Sequence, residues 1–500
     1  MRNGGSICHF AVATMLQPNL PAASRRAAEG LSPAQERGRR QIVALATLFY
    51  LLLIFEGALR KWVLPSHGEI LFFIRDPFAL AIYCLAIRHS LLPARHPLLL
   101  TGIAFAVLGA LLILVQALGV AATIRDWPIL AAYGWRNYFL YIPLPFVLAG
   151  TFRHADIERL IKITLFLTVP VAILVFLQFQ AAPYAPINVG FAADVAQQFR
   201  GLTVDAEHTR PMGLFTSDVG QKEFTVSSLA MILSLWILPA ARRYVRTWQL
   251  LIATCAVLTC LAVGESRGAM VHSGIIVVAA LVSGLVMWRA RVSARAILLP
   301  SALAALAVVL YPIVFPGGYG AFVDRWTQAA AAESAVTRFG IFGRALYGFT
   351  DFFNLMGTTP VVGYGLGLAG NASLTLGVVI PGFHGWAETD WARHIVDLGP
   401  ILGVGFIVYR IIFVAWLGRA CLAGARAAAD PLPILWFAFV GVELLYGQIT
   451  GHGTVNGYGW LFTGLCLAAA GVDEKPRARD SAAVTAVSSP ASQPFPNLLR

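Results

Sequence analysis

Long apolar runs with almost no charged residues constrain this chain more than any other feature. A helix needs roughly 20 mostly apolar residues to cross the hydrocarbon core of a bilayer. Runs of about this length lie near 41–59, 69–87, 98–119, 128–150, 160–180, 223–241, 248–264, 269–287, 296–316, 394–417, 431–447 and 457–471. Only 12% of the residues are charged, about half the usual fraction in a soluble domain. We therefore predict an all-α, polytopic membrane protein with about 12 transmembrane helices.

Basic residues indicate how these helices are oriented, because Lys and Arg collect in cytoplasmic loops. The short loops on one side are all basic, as Arg242, Arg243 and Arg246 illustrate. This pattern places both termini in the cytoplasm, with inside segments at 1–40, 88–97, 151–162, 241–247, 288–295, 410–430 and after 471. The net charge of +12 is then explained by membrane topology, and we do not expect a nucleic acid as a partner.

The two ends of the chain differ in composition from the membrane domain predicted for 41–471. Residues 1–40 are polar and basic near their end, and 472–500 are rich in Ser, Ala and Pro. Both are predicted to be disordered cytoplasmic tails. The sequence has six cysteines but no CxxC pair and no Cys/His cluster, so it predicts neither disulfides nor a metal site. No cofactor is expected.

Two of the predicted outside loops are long, at about 181–222 and about 317–393. Loops of this length in a compact protein are usually functional. The second contains a helical pattern near 336–354 that places Phe342, Leu346 and Phe349 on one face. We expect this helix to lie along the membrane surface.

Positive charge on the outside runs against the topological rule, so it needs an explanation. Arginine suits phosphate because its planar guanidinium makes bidentate, permanently charged contacts. A cluster facing the outer leaflet suggests an anionic, lipid-linked substrate, although pairing with nearby carboxylates, such as Arg75 with Asp76, is the alternative. Glu56 and Arg136 lie inside apolar spans, where they either form a buried brace or line a polar cavity. Thirteen basic residues belong to this outside set: Arg60, Lys61, Arg75, Arg125, Arg136, Arg200, Arg210, Lys222, Arg267, Arg325, Arg338, Arg344 and Arg393.

Several motifs fall at the outer ends of the predicted spans. The sequence TRPMGLFTSD occupies 209–218, GESRGAM occupies 264–270, and ETDWARHIVDLGPILGVGF occupies 388–406. Gly363 and Gly365 permit close backbone approach to a ligand, and backbone N–H groups there offer a cradle for an anion. Trp391 is suited to stack on a sugar ring or to sit in an interfacial aromatic belt. His452, on the last outside loop, is a further candidate for a direct role.

At these motifs the chain resembles the O-antigen ligase and O-antigen polymerase superfamily of bacterial membrane enzymes. The resemblance covers about 160–420. An Arg-Gly after Ser is matched by Ser266-Arg267-Gly268, and an Arg-x-x-Gly-x-Phe by Arg210 to Phe215. The remaining motifs are matched by Arg338 followed by Pro360, Gly363 and Gly365, and then by Asp397 and Gly399.

The resemblance implies transfer or polymerisation of a glycan from undecaprenyl diphosphate onto a glycan or lipid acceptor. The reaction would take place at the periplasmic face of the bacterial inner membrane, by an inverting displacement without a metal. Arg267 and Arg338, assisted by Arg210, would stabilise the diphosphate. The usual family His falls on Glu388, so Glu388 or Asp390 would orient or deprotonate the acceptor hydroxyl. The further substrate-binding residues predicted are Arg344, Gly363, Gly365, Trp391 and Arg393.

Two other classes of function fit the same composition. A transporter or flippase of a lipid-linked oligosaccharide also has many helices and intramembrane charges, but it should line a path through both leaflets with polar groups. A non-catalytic partner of other polysaccharide-assembly proteins is the third reading, because Glu388 replaces the family His. Membrane lipids are expected partners in every case, and the residues do not separate a ligase from a polymerase.

Overall fold

The computed structural model describes residues 31–190, 210–264, 266–287, parts of 302–327, 340–383, 387 and 389–471. Arg338, Glu388, residues 1–30 and all of 472–500 lie outside the described residues, as do 191–209 of the first long loop. The side chain of Arg344 is also not described. The described residues are helical and contain no strand, so the all-α prediction is confirmed for this part of the chain.

The helix boundaries follow the predicted apolar runs closely, except near 296–316, which is only partly described. Two π-helical turns, Leu59–Val63 and Arg136–Leu140, interrupt the α-helices. The helices are α1 (Pro33–Ala58), α2 (Gly68–Leu71), α3 (Asp76–Arg88), α4 (Pro97–Gln116), α5 (Trp127–Trp135), α6 (Leu144–Thr151), α7 (His154–Gln180), α8 (Asp218–Ile237), α9 (Thr247–Val263), α10 (Arg267–Met287), α11 (Gly340–Met356), α12 (Asn371–Thr375), α13 (Asp390–Ala428), α14 (Leu432–Leu445) and α15 (Gly453–Ala469).

Five helical segments within the described residues are long and apolar enough to cross a membrane. They are Pro33–Val63, Pro97–Gln116, His154–Gln180, Arg267–Gly284 and Asp390–Ala428. Two shorter helices, α9 and α14, are also apolar. Many of the apolar side chains on α4 face outward, as expected where the surrounding solvent is lipid. These are the features of a helical membrane protein.

Helices α8 and α15 form the centre of the helical bundle. Nearly every residue of α8 from Gly220 to Ile237, and of α15 from Gly453 to Leu467, is buried. A helix that is buried all round must be enclosed by other helices. Helices α6 and α14 pack on α15, and α10 and α14 pack on α8. Any polar group at the start of α8 or α15 therefore lies in the interior of the bundle.

The described contacts at the helix ends fall into two groups. At one end Arg39 pairs with Asp156 at 2.7 Å, which joins the starts of α1 and α7. Arg242 donates to the carbonyl of Ala429 at that end, 2.9 Å away, beyond the end of α13. At the other end, the end of α1 and the starts of α3, α8 and α13 meet the loop between α14 and α15, as described below.

Helix α13 is folded back on itself rather than straight. Gly399 adopts φ 80° and ψ 165° just before Pro400, which interrupts the helix. Asp390 and Arg410 consequently form an ion pair of 2.5 Å. Arg410, which the sequence analysis includes in the inside segment 410–430, also donates to the carbonyl of Leu444, at the end of α14 where the α14–α15 loop begins. The Gly-Pro step produces the fold-back, since Pro400 removes a helical hydrogen bond.

Candidate anion-binding site

The α14–α15 loop (446–452) joins three separate parts of the bundle. Thr450 donates its hydroxyl to Asp390 on α13 at 2.8 Å. The ring Nε2 of His452 lies 3.2 Å from the hydroxyl of Ser217, which precedes α8. Directly after the loop, the carbonyl of Gly453 accepts a hydrogen bond of 3.2 Å from Arg75. Charged side chains from distant positions in the sequence therefore surround this loop.

The first charged group of the site contains two arginines and one carboxylate. Glu56 pairs with Arg75 at 2.8 Å and with Arg60 at 3.2 Å, and all three side chains are almost fully buried. This corrects the neighbouring pair considered from the sequence, since Arg75 contacts Glu56 and not Asp76. Within this triad one carboxylate faces two guanidinium groups, which are permanently charged, and Arg60 takes part in a further interaction outside the triad.

A neutral pair lies beside the first triad. Arg136 holds both carboxylate oxygens of Asp76 at 2.8 to 3.1 Å, and the hydroxyl of Tyr141 contacts the same carboxylate. Glu56 and Arg136 therefore both form ion pairs inside the protein, but not with each other: Glu56 pairs with Arg60 and Arg75, and Arg136 pairs with Asp76. Phe72 lies between two cations, 5.2 Å from the guanidinium of Arg60 and 5.1 Å from that of Arg136. Such cation–π contacts offset part of the cost of removing guanidinium groups from water.

The second charged triad again contains two arginines and one carboxylate. Asp390 is fully buried, pairs with Arg410 at 2.5 Å and lies 4.0 Å from Arg393. His394 contacts the same Arg410 Nη1 at 2.6 Å. Asp390 was predicted to orient or deprotonate an acceptor, and we correct that role. Its oxygens are occupied by Arg410 and Thr450, so it positions the cations of this triad.

Three buried nitrogen atoms around the α14–α15 loop have no hydrogen-bond partner among the described residues. They are Nη2 of Arg75, Nη1 of Arg393 and Nδ1 of His452. Unsatisfied buried polar groups are uncommon in native proteins and require an explanation. Two of the three belong to arginines in the two triads. A bound anion would satisfy both of these donors.

His452 is a titratable group on which a charge from each triad acts, that of Arg75 and that of Arg393. Burial is the main factor that lowers its pKa from the ordinary 6.5 to about 4. The positive charges of Lys222, Arg393 and Arg75 lower it further, whereas Asp218 opposes them. The imidazole is therefore neutral at pH 7 and able to accept a proton. His452 is partly buried as a residue, whereas its Nδ1 is buried and its Nε2 contacts Ser217.

Two glycines of this region make room for the arginines. A Cβ atom at Gly451 would overlap Nη1 of Arg393, and one at Gly457 would overlap Nη1 of Arg75. Both positions thus depend on the absence of a side chain. The sequence GHGTVNG at 451–457 is the local signal that places two arginines and His452 on one side of the α14–α15 loop.

The glycine-rich segment 360–370 binds a different group from the one predicted. Cβ atoms at Gly363 and Gly399 would overlap each other's backbone, and the amide of Tyr364 donates to the carbonyl of Val396 at 2.8 Å. A Cβ at Gly365 would contact Trp127. Gly363 and Gly365 therefore pack against the protein, which corrects their predicted role in substrate binding.

The group held by this segment is a carboxyl side chain of the protein itself. Asp397 accepts a hydrogen bond of 2.9 Å from the amide of Ala369 and one of 3.1 Å from the hydroxyl of Tyr138. Gln116 fastens the same segment, because its amide donates to the carbonyls of Val362 and Asp397 at 2.7 and 2.8 Å. Segment 360–370 is thereby fixed to the fold-back of α13.

The remaining predicted residues are distributed around this site. Trp391 donates to the carbonyl of Leu445 at 2.8 Å and packs on Phe349, so it supports α11 and does not present a free face to a sugar. Arg210 pairs with Asp218 at 2.8 Å at the start of α8. Arg267 is partly buried at the start of α10. Arg393, like Arg75, has an unsatisfied donor beside the α14–α15 loop.

The structure brings forward residues that sequence reasoning ranked too low. Arg75 was one of thirteen outside cations, His452 was a secondary candidate, and Arg410 was assigned to the inside. Their convergence depends on contacts between positions hundreds of residues apart, such as Arg75 with Gly453. The available signal was local: His452 is flanked by glycines on both sides.

Comparisons with known proteins do not place the chain in a family. No protein-family model matches it, and neither a curated protein nor a solved structure matches it. The function must therefore be argued from the site.

Proposed function

We propose that this protein is a glycosyltransferase of the O-antigen ligase and polymerase type. It uses a glycan linked to undecaprenyl diphosphate as the donor and a glycan or lipid hydroxyl as the acceptor. The observation that carries this proposal is the pair of buried triads, Glu56 with Arg60 and Arg75, and Asp390 with Arg393 and Arg410. Each triad contains two guanidinium groups and one carboxylate, and Arg75 and Arg393 both act electrostatically on the neutral imidazole of His452.

A lipid diphosphate suits this distribution of charge. When the glycosidic bond breaks, negative charge develops on the leaving diphosphate, and fixed cations in a site with little water stabilise it strongly. The unsatisfied donors of Arg75 and Arg393 are available to its oxygens. Because the guanidinium groups are already held by Glu56 and Asp390, they need little reorganisation during the reaction.

His452 supplies the second requirement of a transfer reaction, which is a base. The acceptor hydroxyl gives its proton to the imidazole as its oxygen bonds to the anomeric carbon, and the bond from that carbon to the diphosphate breaks. A single displacement of this kind inverts the anomeric centre. His452 thereby takes the role that the sequence resemblance assigned to Glu388 or Asp390. Since the cations supply the charge stabilisation, the proposed step needs no metal.

The proposed topology completes this assignment. About twelve transmembrane helices, with both termini in the cytoplasm, place the α14–α15 loop, the start of α8 and the start of α13 at the periplasmic face of the bacterial inner membrane. The lipid-linked donor is then reached from the outer leaflet. The contacts at the opposite end, such as Arg39 with Asp156, belong to the cytoplasmic side.

The test uses the full-length protein expressed in a null strain of its source. His452→Gln and Arg393→Gln should each abolish most of the surface glycan output while the protein accumulates normally in the membrane. Glu158→Gln, at a more exposed carboxylate that contacts His154 and Lys162, is the matched control. Normal glycan output from well-expressed His452→Gln and Arg393→Gln proteins would overturn the proposal.

The glycan species that accumulates in the null strain distinguishes the alternative functions. Single repeat units in the null strain indicate a polymerase, and unattached polymer indicates a ligase. Lipid-linked units that remain on the cytoplasmic leaflet indicate the flippase alternative. Unaltered glycan with altered export indicates a non-catalytic assembly protein.

A further inference from the structure

A second ionisable group lies deeper in the bundle and is not used in the reaction above. Lys222 contacts Glu223 at 2.8 Å and Glu443 at 2.9 Å, and His272 lies 3.3 Å from Glu443. Glu223, Glu443 and His272 have at most 3% of their side chains exposed. Helices α8, α10 and α14 contribute these four residues, which we call the Lys222 cluster.

The contacts of His272 require an additional proton in the Lys222 cluster. Its ring Nε2 lies 3.0 Å from the carbonyl oxygen of Phe439. A carbonyl oxygen only accepts hydrogen bonds, so Nε2 must carry a hydrogen. In a neutral ring Nδ1 then has a lone pair, and this lone pair faces a carboxylate oxygen of Glu443 at 3.3 Å. Two acceptors at this distance repel, and one added proton on Glu443 or on Nδ1 relieves the repulsion.

The two carboxylates lead to the same conclusion. Glu223 and Glu443 both contact the single ammonium of Lys222, and they are close enough to hydrogen-bond to each other. Carboxylates that share a site do not both ionise readily. With one added proton, a positive Lys222 and two glutamates form a neutral group, which is the least costly state in an environment with little water. Oε2 of each glutamate is buried and has no hydrogen-bond partner among the described residues.

We propose that the Lys222 cluster is a proton-binding site, in which Glu223 and Glu443 share one exchangeable proton at neutral pH. Release of this proton breaks one carboxylic O–H bond, passes the proton to water and leaves the Lys222 cluster with one negative charge. Besides the four members, ionisable groups on the surrounding elements include Asp218 on α8, Cys260 on α9, Arg267 on α10, Arg410 on α13, and His452 and Tyr458 at the start of α15.

The Lys222 cluster lies next to the anion site. The carboxylate of Glu443 packs against Gly447 in the α14–α15 loop, and Lys222 contributes to the electrostatic environment of His452. Loss of the proton adds negative charge beside the loop and weakens anion binding. By linkage, an anion bound at the loop strengthens retention of the proton to the same degree. This coupling rests on the proposed anion site, whereas the proton itself does not.

The experiment measures the proton directly in purified full-length protein in lipid nanodiscs. Infrared spectra at neutral pH should contain the carbonyl-stretch band of a protonated carboxylic acid, shifted by exchange into D2O. This band should disappear in both Glu223→Gln and Glu443→Gln, because each removes the carboxylate pair that shares the proton. It should persist in Glu158→Gln. The readout needs no glycan, so it is independent of the proposed transferase activity.

Two results would overturn the proton site. One is a set of spectra in which wild-type and both glutamine variants show the same carboxylic-acid bands. The other is a ¹⁵N spectrum of His272 with both ring nitrogens protonated and no carboxylic-acid band. For the coupling, calorimetry with inorganic pyrophosphate, at a pH where the Lys222 cluster has partly lost its proton, should show proton uptake on binding in wild-type and much less in Glu443→Gln. Equal proton uptake in the two would overturn the coupling alone.

Discussion

Arg410 and Asp390 form an ion pair of 2.5 Å although they are twenty positions apart in one helix. In a straight α-helix that separation corresponds to about 30 Å. The pair exists because α13 folds back at Gly399, which brings its first turn against its own later part. The fold-back thus creates the second triad and places Arg393 beside the α14–α15 loop.

Removing the carboxylate of this pair should destabilise the protein strongly. Asp390→Asn leaves Arg393 and Arg410 buried without a counter-charge, and breaking one side of a buried pair costs about 3–5 kcal/mol. Thermal unfolding of the detergent-purified protein should show the loss. The double variant Asp390→Asn with Arg410→Met should recover part of the lost stability, because one of the two buried charges without a counter-charge is then also removed. Equal unfolding temperatures for wild-type and Asp390→Asn would contradict this account.

A small change next to Arg393 should affect activity more than folding. Gly451→Ala places a methyl group where Nη1 of Arg393 lies, and the flexible arginine must move away. Displacement of a reactive group by about 1 Å can reduce a rate by about a hundredfold. Transfer assays in membranes should therefore show a large loss at normal protein levels. Gly274→Ala on α10 is the control, because nothing lies within 4 Å of its Cβ position. Similar activities for the two variants would count against a role for Arg393.

The pH dependence of transfer should report on His452. Its pKa of about 4 means that the imidazole stays neutral and basic well below pH 6.5, so the acid limb of kcat/KM should lie near pH 4. Arg393→Gln removes a positive charge that lowers this pKa. The acid limb of its residual activity should consequently move upward, toward 6.5. An acid limb at 6.5 in both proteins would mean that His452 is not the base.

The fold-back of α13 should tolerate no side chain at Gly399. Alanine there is strained at φ 80°, and its Cβ would overlap the carbonyl of Val361. Both effects destabilise the packing of segment 360–370, so Gly399→Ala should lower the unfolding temperature and the membrane yield. Gly405→Ala, on the same helix, makes only ordinary contacts with Phe105 at 3.5 Å and should behave as wild-type. An unfolding temperature of Gly399→Ala equal to that of Gly405→Ala would show that the fold-back does not need this glycine.

The helices were predictable because the requirement for apolar surface in lipid is local. Most residues of a run such as 98–119 are apolar because they face lipid or other helices, so the run itself predicts the helix. Helix α4 has nearly the same bounds. The Gly399-Pro400 step also marks a break in a helical pattern. The apolar pattern does not reveal that the chain after this break reverses and pairs Arg410 with Asp390.

The candidate site was predictable only as a set of unexplained charges. The residues that pair in this site come from distant helices. Assigning charged residues to the inside or the outside does not show which of them pair. The sequence neighbours Arg75 and Asp76 illustrate this point, because each pairs with a residue on another element, Glu56 and Arg136. Likewise, the glycines at 363 and 365 were read as permitting a ligand, whereas the backbone and side chains that approach them belong to the protein. The sequence shows where a glycine permits close approach of another group, but it does not show which group packs there.

The two π-helical turns at Leu59–Val63 and Arg136–Leu140 carry Arg60, Lys61 and Arg136. A π turn bonds residues five positions apart where an α turn bonds residues four apart. Each turn therefore accommodates one residue more than the regular helix, and the chain that follows is rotated by about 100° relative to an uninterrupted helix. Deleting a single residue in either turn would restore the α-helix and rotate these cations around the helix axis. The register of the charged region is thus set by two local insertions in otherwise ordinary membrane helices.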